Sequence, residues 1–334
     1  MAYQGDLVGE HDSIIEARRL ISRVAQSKAN TVLIYGETGT GKGLVARLLH
    51  EQSNRFESEF VEFNCAAIPA NLMESELFGF EKGAFTGAQS KKTGLVEAAD
   101  GGSIFFDEIR ELEPVLQAKL LSLLDTQEFR RVGAIKSQKV DVRFIAATNK
   151  ILSGEVRAGR FRDDLYYRLQ VVPINIPPLR QRGEDVLLLS EYFMRRFNSR
   201  YDRKIRGIEP AVSEIFTTYH WPGNVRELEN LLERIFILET EDQILVSHIP
   251  PRIMREVELG SGASPLYPED IDDRLSFIEA DHFPPDGFYE ATTAFQRQMI
   301  ENALRTTHGN VTSAARILNL SRHALRHQMK KLDL

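Results

Sequence analysis

Gly36-Glu37-Thr38-Gly39-Thr40-Gly41-Lys42-Gly43 fits the pattern G-x-x-x-x-G-K, and its flanks decide what it is. Before it runs Thr31 to Tyr35, a short, apolar and β-rich stretch; after it, Leu44-Val45-Ala46-Arg47-Leu48-Leu49 has helical character. Strand, glycine loop and helix follow in the order a phosphate cradle requires. Glycines let successive backbone N–H groups turn toward one anion, the helix N-terminus adds partial positive charge, and Lys42 has the reach for β- and γ-phosphates. The bland alternative, a glycine-rich turn with a chance lysine, does not explain the strand and helix on either side. Gly43 stands where Ser or Thr usually offers Mg2+ a hydroxyl, so a metal there must lean on water and on another carboxylate.

Ser103-Ile104-Phe105-Phe106-Asp107-Glu108 supplies that carboxylate, as an apolar strand ending in two adjacent acids. Asp107 would hold the Mg2+ shell, and Glu108 would orient and deprotonate the attacking water. Taken alone, an acidic pair after a strand is more often a helix cap; downstream of a phosphate loop the catalytic reading is favoured. A third apolar strand ends in Ala146-Ala147-Thr148-Asn149, whose polar tip either senses the γ-phosphate or closes a plain turn. Strand signals at Phe60 to Phe63, Ser103 to Phe106, Val140 to Ala147 and Val171 to Ile176 alternate with helical patterns such as Pro114 to Leu124. This alternation predicts an α/β fold, a mostly parallel sheet with helices on both faces. After Pro177-Pro178 the strand signals stop, and helical stretches near 184–199, 209–218 and 224–238 predict a small helical subdomain.

At roughly 150 residues per domain, 334 residues suggest about two domains, and 42% hydrophobic with 27% charged excludes disorder and collagen. The net charge of −6 conceals an uneven distribution. Residues 251–290 carry 3 basic and 10 acidic side chains with five prolines, whereas residues 291–334 carry 7 basic and 2 acidic. An acidic tether ahead of a basic tail is the polarity expected when only the tail meets phosphate. The division predicted is 1–178 for the α/β part, 179–250 for the lid, 251–290 for a linker and 291–334 for a small all-α domain. Cys65 is the single cysteine, which excludes an intrachain disulfide and suits a reducing compartment. There is no signal-peptide pattern at the start and no apolar run approaching about 18 residues, so a cytoplasmic chain without a membrane segment is expected.

In the tail, Asn310-Val311-Thr312-Ser313-Ala314-Ala315-Arg316-Ile317-Leu318-Asn319-Leu320-Ser321-Arg322 reads as helix, tight turn and helix start, with Ser321 as N-cap. Ala314, Ala315, Leu318, Leu320, Leu325, Met329 and Leu332 would form its core, leaving Arg322, His323, Arg326 and Lys330 outward. A helix-turn-helix lays the start of its second helix in the major groove, where those side chains meet bases and phosphates. A three-helix oligomerisation bundle is the alternative, and the basic balance of the segment tells against it.

Phe78-Gly79-Phe80-Glu81-Lys82-Gly83-Ala84-Phe85-Thr86-Gly87-Ala88 contains GAFTGA, which resembles the signature of bacterial enhancer-binding proteins that activate sigma-54 RNA polymerase. Similar to the same family are Phe63-Asn64-Cys65-Ala66-Ala67, Glu74 to Gly79, Phe161 to Leu169 and Trp221-Pro222-Gly223-Asn224-Val225-Arg226-Glu227-Leu228. The tail resembles that family's Fis-like DNA-binding domains, so the resemblance covers essentially the whole chain.

The resemblance implies an AAA+ ATPase that uses ATP and Mg2+, assembles as a ring, usually a hexamer, and contacts sigma-54 polymerase and upstream activator DNA. It makes Asn64 the partner restraining Glu108, Thr148-Asn149 the first sensor, Arg226 the second sensor on the lid, and Arg162 and Arg168 the arginine fingers given to a neighbouring subunit. Surface ion pairs are the alternative for both fingers. Gly83, Ala84, Phe85, Thr86, Gly87 and Ala88 become the sigma-54 contact, with Phe85 and Thr86 at its tip; a second loop on the pore side is placed within Arg131 to Lys139. Trp221 and Pro222 read as lid packing. Only about 30 residues precede the first strand, so regulation by a separate protein, or truncation, is expected. Two other functional classes compete. An AAA+ unfoldase would need neither the GAFTGA loop nor the basic tail, and a DNA-binding repressor with a degenerate ATPase would account for Gly43.

Overall fold

The computed structural model describes residues 6–258 and, toward the C-terminus, residues 297, 300, 304, 305, 307, 310–317, 325 and 329. The chain forms two units, Met1–Ser264 and Pro265–Leu334. In the first, strands β1 (Thr31–Tyr35), β2 (Phe60–Asn64), β3 (Ser103–Asp107), β4 (Arg143–Thr148) and β5 (Pro173–Asn175) form one parallel sheet in the order β2-β3-β4-β1-β5. Helices α1 (Asp12–Ala25), α2 (Lys42–Glu51), α3 (Ala70–Phe78), α4 (Leu95–Ala98), α5 (Pro114–Thr126), α6 (Leu152–Arg157) and α7 (Asp163–Leu169) cover it.

Alternation along each strand divides the core in two. Val32, Ile34, Phe105, Ile145, Ala147 and Ile174 face α1 and α2, while Leu33, Ile104, Phe106, Phe144 and Ala146 face the opposite layer with Leu116, Leu120 and Leu165. Full burial of side chains of this size contributes about 1.5–3 kcal/mol each. Every strand of a parallel sheet points the same way, so the strand ends that carry chemistry gather along one edge. The position of β4 between β1 and β3 sets Thr148, paired with Tyr35, between the glycine loop and the acid pair.

Two strands are shorter than their apolar runs. Val140 and Val142 are buried but lie outside β4, because Gln127 at the end of α5 takes both backbone N–H groups, with its carbonyl at 2.9 Å and its Oε1 at 3.1 Å. β5 begins at Pro173, a residue without an N–H that is tolerated on this edge strand.

The helical stretches expected after Pro177 are α8 (Asp185–Tyr201), α9 (Pro210–Thr218) and α10 (Asn224–Leu238), packed around Phe193, Phe197, Phe216, Trp221, Leu232 and Phe236. Trp221 is buried edge-on to Phe216 and Tyr219 and donates its indole N–H to the Phe216 carbonyl at 2.8 Å. A fourth helix, α11 (Pro251–Glu258), lies beyond the predicted boundary at residue 250. Its Ile253 enters the lid core and Arg252 pairs with Glu227 at 2.7 Å, so an amphipathic turn inside an acidic, proline-containing stretch acts as lid packing.

In the second unit α12 (Val311–Ile317) is capped by Asn310, whose Oδ1 accepts from the Ser313 N–H at 3.2 Å. Ile300, Ala314, Ala315 and Leu325 form a small core with Leu304, Val311 and Met329. Of the predicted core residues, Leu318, Leu320 and Leu332 lie outside the described residues, as do the DNA-facing candidates Ser321, Arg322, His323, Arg326 and Lys330.

Candidate functional site: a nucleotide cleft and an exposed loop

The glycine loop leaves β1 at Gly36 and enters α2 at Lys42, with Gly39 and Gly41 at φ 81° and 101°, values that favour glycine. Thr40 closes the turn by donating its hydroxyl to the Glu37 carbonyl at 2.8 Å. Lys42 is buried, donates to the Gly36 carbonyl at 3.0 Å and the Glu37 carbonyl at 3.3 Å, and lies 3.6 Å from Glu108. Gly43 carries no hydroxyl, and a Cβ there would meet only the Phe105 ring edge at 3.9 Å, so the space for a side chain is open.

Asp107 ends β3, and Glu108 follows it in the left-handed region at φ 53°, ψ 53°, a strained backbone for a residue with a side chain. One Glu108 oxygen accepts from the Asn149 N–H at 3.3 Å, and Arg110 stands 4.0 Å away. Asn149 donates its amide to the Thr38 hydroxyl at 3.3 Å, while its Oδ1 is buried without a partner. That orphaned acceptor beside the glycine loop and Glu108 can take a hydrogen bond from a water, since phosphate oxygens themselves offer no donor. Asn64 pairs in register with Asp107, and its Oδ1 accepts from the Ala66 N–H at 2.9 Å; the Glu108 carboxylate lies instead against Lys42 and Asn149.

The lid closes over this edge of the sheet. Asn224 donates to the Thr38 carbonyl at 3.0 Å, the Arg226 N–H to the Gly39 carbonyl at 3.2 Å, and a Cβ on Gly39 would fall 2.1 Å from the Gly223 carbonyl. Arg180 forms a two-pronged pair with Glu37, and Arg182 reaches the Thr40 carbonyl at 3.3 Å. The resulting cleft has a volume of about 340 Å3. Its lining brings Lys42, Asp107, Glu108 and Arg226 together with an apolar group of Leu7, Val8, Leu189, Tyr192, Phe193 and Val225.

The Arg180 guanidinium holds the Glu37 carboxyl below the usual carboxylate range, helped by the Asn224 amide. A depressed carboxyl adds stability above its unfolded value and loses it as pH falls through the folded one. In Glu37→Gln that acid-side loss of stability should be smaller. The pair is partly exposed, so the difference is under about 1 kcal/mol; melting curves of both chains between about pH 3 and 6 check it. Identical slopes would contradict the assignment.

Arg162 and Arg168 lie outside the cleft, at the start and end of α7. Arg162 pairs with Asp164 at 2.7 Å and Arg168 with Asp125 at 2.9 Å, each side chain nearly half exposed. Exposed pairs of this kind are worth about 0–1 kcal/mol, so both guanidinium groups can exchange these partners for a stronger anion.

The GAFTGA residues form a closed loop. The Gly83 N–H donates to the Ala88 carbonyl at 2.8 Å, and Gly83 and Gly87 take φ 84° and 107°. Phe85 is 46% exposed with its ring edge-on to Phe80 at 4.9 Å, and Thr86 is exposed. The stretch from Arg131 stands beside this loop. Val132 exchanges backbone hydrogen bonds with Gly79 and Glu81 at 2.9 and 3.0 Å, and buried Arg131 pairs with Glu81 and Glu97.

Sequence reasoning missed the lid contacts of Arg180, Arg182 and Asn224 and the N-terminal strap of Asp6, Leu7 and Val8. Their partners lie over a hundred residues away, and a charged run after Pro177-Pro178 carries no local sign of them.

A glycine loop between strand and helix, an acid pair on the next strand but one, a polar tip between them and a helical lid define an AAA+ P-loop nucleotide-binding protein. Residues 7–175 match the family described as the sigma-54 interaction domain, residues 180–263 an AAA+ ATPase lid domain, and residues 293–332 the bacterial regulatory proteins of the Fis family. The chain belongs to the sigma-54 interaction domain family. It is 42% identical over 329 residues to the nitrogen fixation protein AnfA of Azotobacter vinelandii, covering 98% of this chain and 58% of that one. It is 39% identical over 333 residues to the regulatory protein AtoC of Escherichia coli, covering 99% and 68%. The solved structure of NtrX from Brucella abortus in complex with ATP shares 33% identity at a TM-score of 0.71, covering 99% of this chain and 70% of that one. The chain thus spans about three fifths of the length of AnfA. No helix among the described residues is long and apolar enough to cross a membrane.

Proposed function

We propose that this chain is an ATP-driven activator of sigma-54 RNA polymerase, which binds upstream DNA and remodels the closed promoter complex into an open one. The observation that carries this reading is the placement of a solvent-exposed GAFTGA loop on the same α/β unit that frames the nucleotide cleft. A hydrolytic site and a partner-binding tip on one packed unit are the two ends of a motor.

In the cleft, glycine-loop N–H groups and Lys42 bind the phosphates, and Glu108 accepts the proton of the attacking water. Asp107 would hold Mg2+ with water in place of a hydroxyl at position 43, and the ion would neutralise charge developing on the phosphates. Arg226 reaches the phosphates from the lid, while Arg162 and Arg168 complete a neighbouring subunit's site in a ring, a hexamer in the family pattern. The four-part division of the chain is part of the same proposal, with boundaries at 178 and 290 and the lid extended from residue 250 to 258 so that it takes in α11.

DNA binding is assigned to residues 291–334. A lost base contact costs about 1–3 kcal/mol at one base pair, whereas a lost phosphate contact weakens binding to all sequences and lowers the salt slope by about one. Arg322 and Arg326 are assigned to bases and Lys330 or Lys331 to phosphates. Because α11 packs into the lid, the truncation that isolates this function ends at Glu258 rather than at Pro250. The shortened chain should keep its ATPase and lose site-specific footprints on the upstream region. Equal protection by both chains would show that the tail is not the DNA reader.

A further inference from the structure

Asp185, the first residue of α8, is 2% exposed and belongs to none of the groups assigned above. Its Oδ1 accepts from the backbone N–H of Glu10 at 2.7 Å and of His11 at 3.1 Å, while Oδ2 is buried without a hydrogen-bond partner. A buried carboxylate is costly unless something compensates it. Arg182 supplies opposite charge from one turn away; burial pushes its pKa down to about 10, against the pull of Asp185.

Asp185 grips the N-terminal strap. Gly9 has φ 148°, and a Cβ there would sit 2.4 Å from Asp185 Oδ2, so backbone and carboxylate meet as closely as glycine allows. On the other side Arg18 donates to the Gly9 carbonyl at 2.6 Å. The strap so held carries Leu7 and Val8, which line the cleft together with Leu189, Tyr192 and Phe193 of α8, and Val8 packs against the lid core. Asp185 therefore ties together two segments that line the cleft, the strap and α8. The glycine loop is held by hydrogen bonds that do not pass through the strap, from Arg182 to the Thr40 carbonyl and from Asn224 to the Thr38 carbonyl.

We propose that Asp185 is the positioning residue for the base of the bound nucleotide, fixing the strap against α8 so that a purine is gripped between two walls of constant spacing. The proposal rests on the ATP-binding reading. A group that fixes only the base end should affect a ligand with a base and spare one without. Asp185→Ala leaves two backbone N–H groups unpaired and frees the strap; Asp185→Asn keeps one oxygen able to accept from both.

The test is calorimetric titration of the full chain with Mg-ATP and, separately, with Mg-tripolyphosphate, with melting curves for every variant. Asp185→Ala should weaken ATP by about 10-fold, the size expected for loss of a two-hydrogen-bond anchor, while tripolyphosphate changes by less than about twofold. Asp185→Asn should recover most of the ATP affinity. If Asp185→Ala does not fold, Gly9→Ala, which drives a Cβ into Oδ2, should show the same ATP-selective loss. Equal weakening of both ligands, or unchanged ATP affinity, overturns the proposal and leaves the ATP reading intact. A wild-type chain that binds tripolyphosphate but gains nothing from the base overturns the proposal too, and one that binds neither ligand overturns both.

Discussion

Glu108→Gln is expected to bind ATP within about twofold of the wild type and to lose turnover by roughly 10²- to 10⁴-fold, the range for removal of a general base. Glutamine keeps the size of the side chain and its oxygen for the Asn149 N–H, but it cannot take a proton. Lys42→Ala should fail one step earlier, because its ammonium reaches the carbonyls at the root of the cradle and no other cationic side chain among the cleft-lining residues rises from the glycine loop. Fluorescent-nucleotide titration and phosphate release separate the two steps. Mixing Glu108→Gln with Arg168→Ala subunits extends the test to the ring. An interface that pairs an intact cleft from one subunit with an intact finger from the other should recover hydrolysis, since fingers elsewhere contribute about 10³ to 10⁵ in rate. Normal turnover in Glu108→Gln, or no recovery in demonstrably mixed rings, would contradict these roles.

Phe85→Ala and Thr86→Ala should have the opposite phenotype, with hydrolysis retained and promoter opening lost by at least about 10-fold, as for truncation of a hot-spot side chain. The structural reason is separation. The loop is closed by its own Gly83 to Ala88 hydrogen bond, its Phe85 ring rests on Phe80, and none of its residues lines the cleft. Binding of sigma-54 polymerase by each variant, measured beside its ATPase rate, gives the comparison. Variants that open the promoter normally would remove the loop from the output.

Those parts of the site whose chemistry lies in consecutive residues were legible in the sequence. Gly36 to Lys42, Asp107-Glu108 and Thr148-Asn149 each sit at a strand end, and a parallel sheet brings strand ends together without further information. The lid core was legible for a similar reason, since α8, α9 and α10 carry helical apolar periodicity. What joins the lid to the glycine loop was not legible. Arg180 on Glu37 joins side chains 143 residues apart, and Asn224 on the Thr38 carbonyl and Asp185 on the Glu10 N–H use distant main-chain partners, neither of which leaves a periodic trace. Helix α11 was hidden by composition, because the acidic charge and proline of its neighbourhood mask a turn that buries Ile253.

If hydrolysis in the cleft is transmitted through the GAFTGA loop to sigma-54 polymerase, promoter melting requires both. The most direct test is permanganate footprinting of a sigma-54 promoter carrying the upstream site, with holoenzyme, the full chain and either ATP or a non-hydrolysable analogue. Melted bases near the start site with ATP, absent with the analogue, with Glu108→Gln and with Thr86→Ala, are the predicted result. Promoter melting that proceeds equally with the analogue or with Glu108→Gln would contradict it.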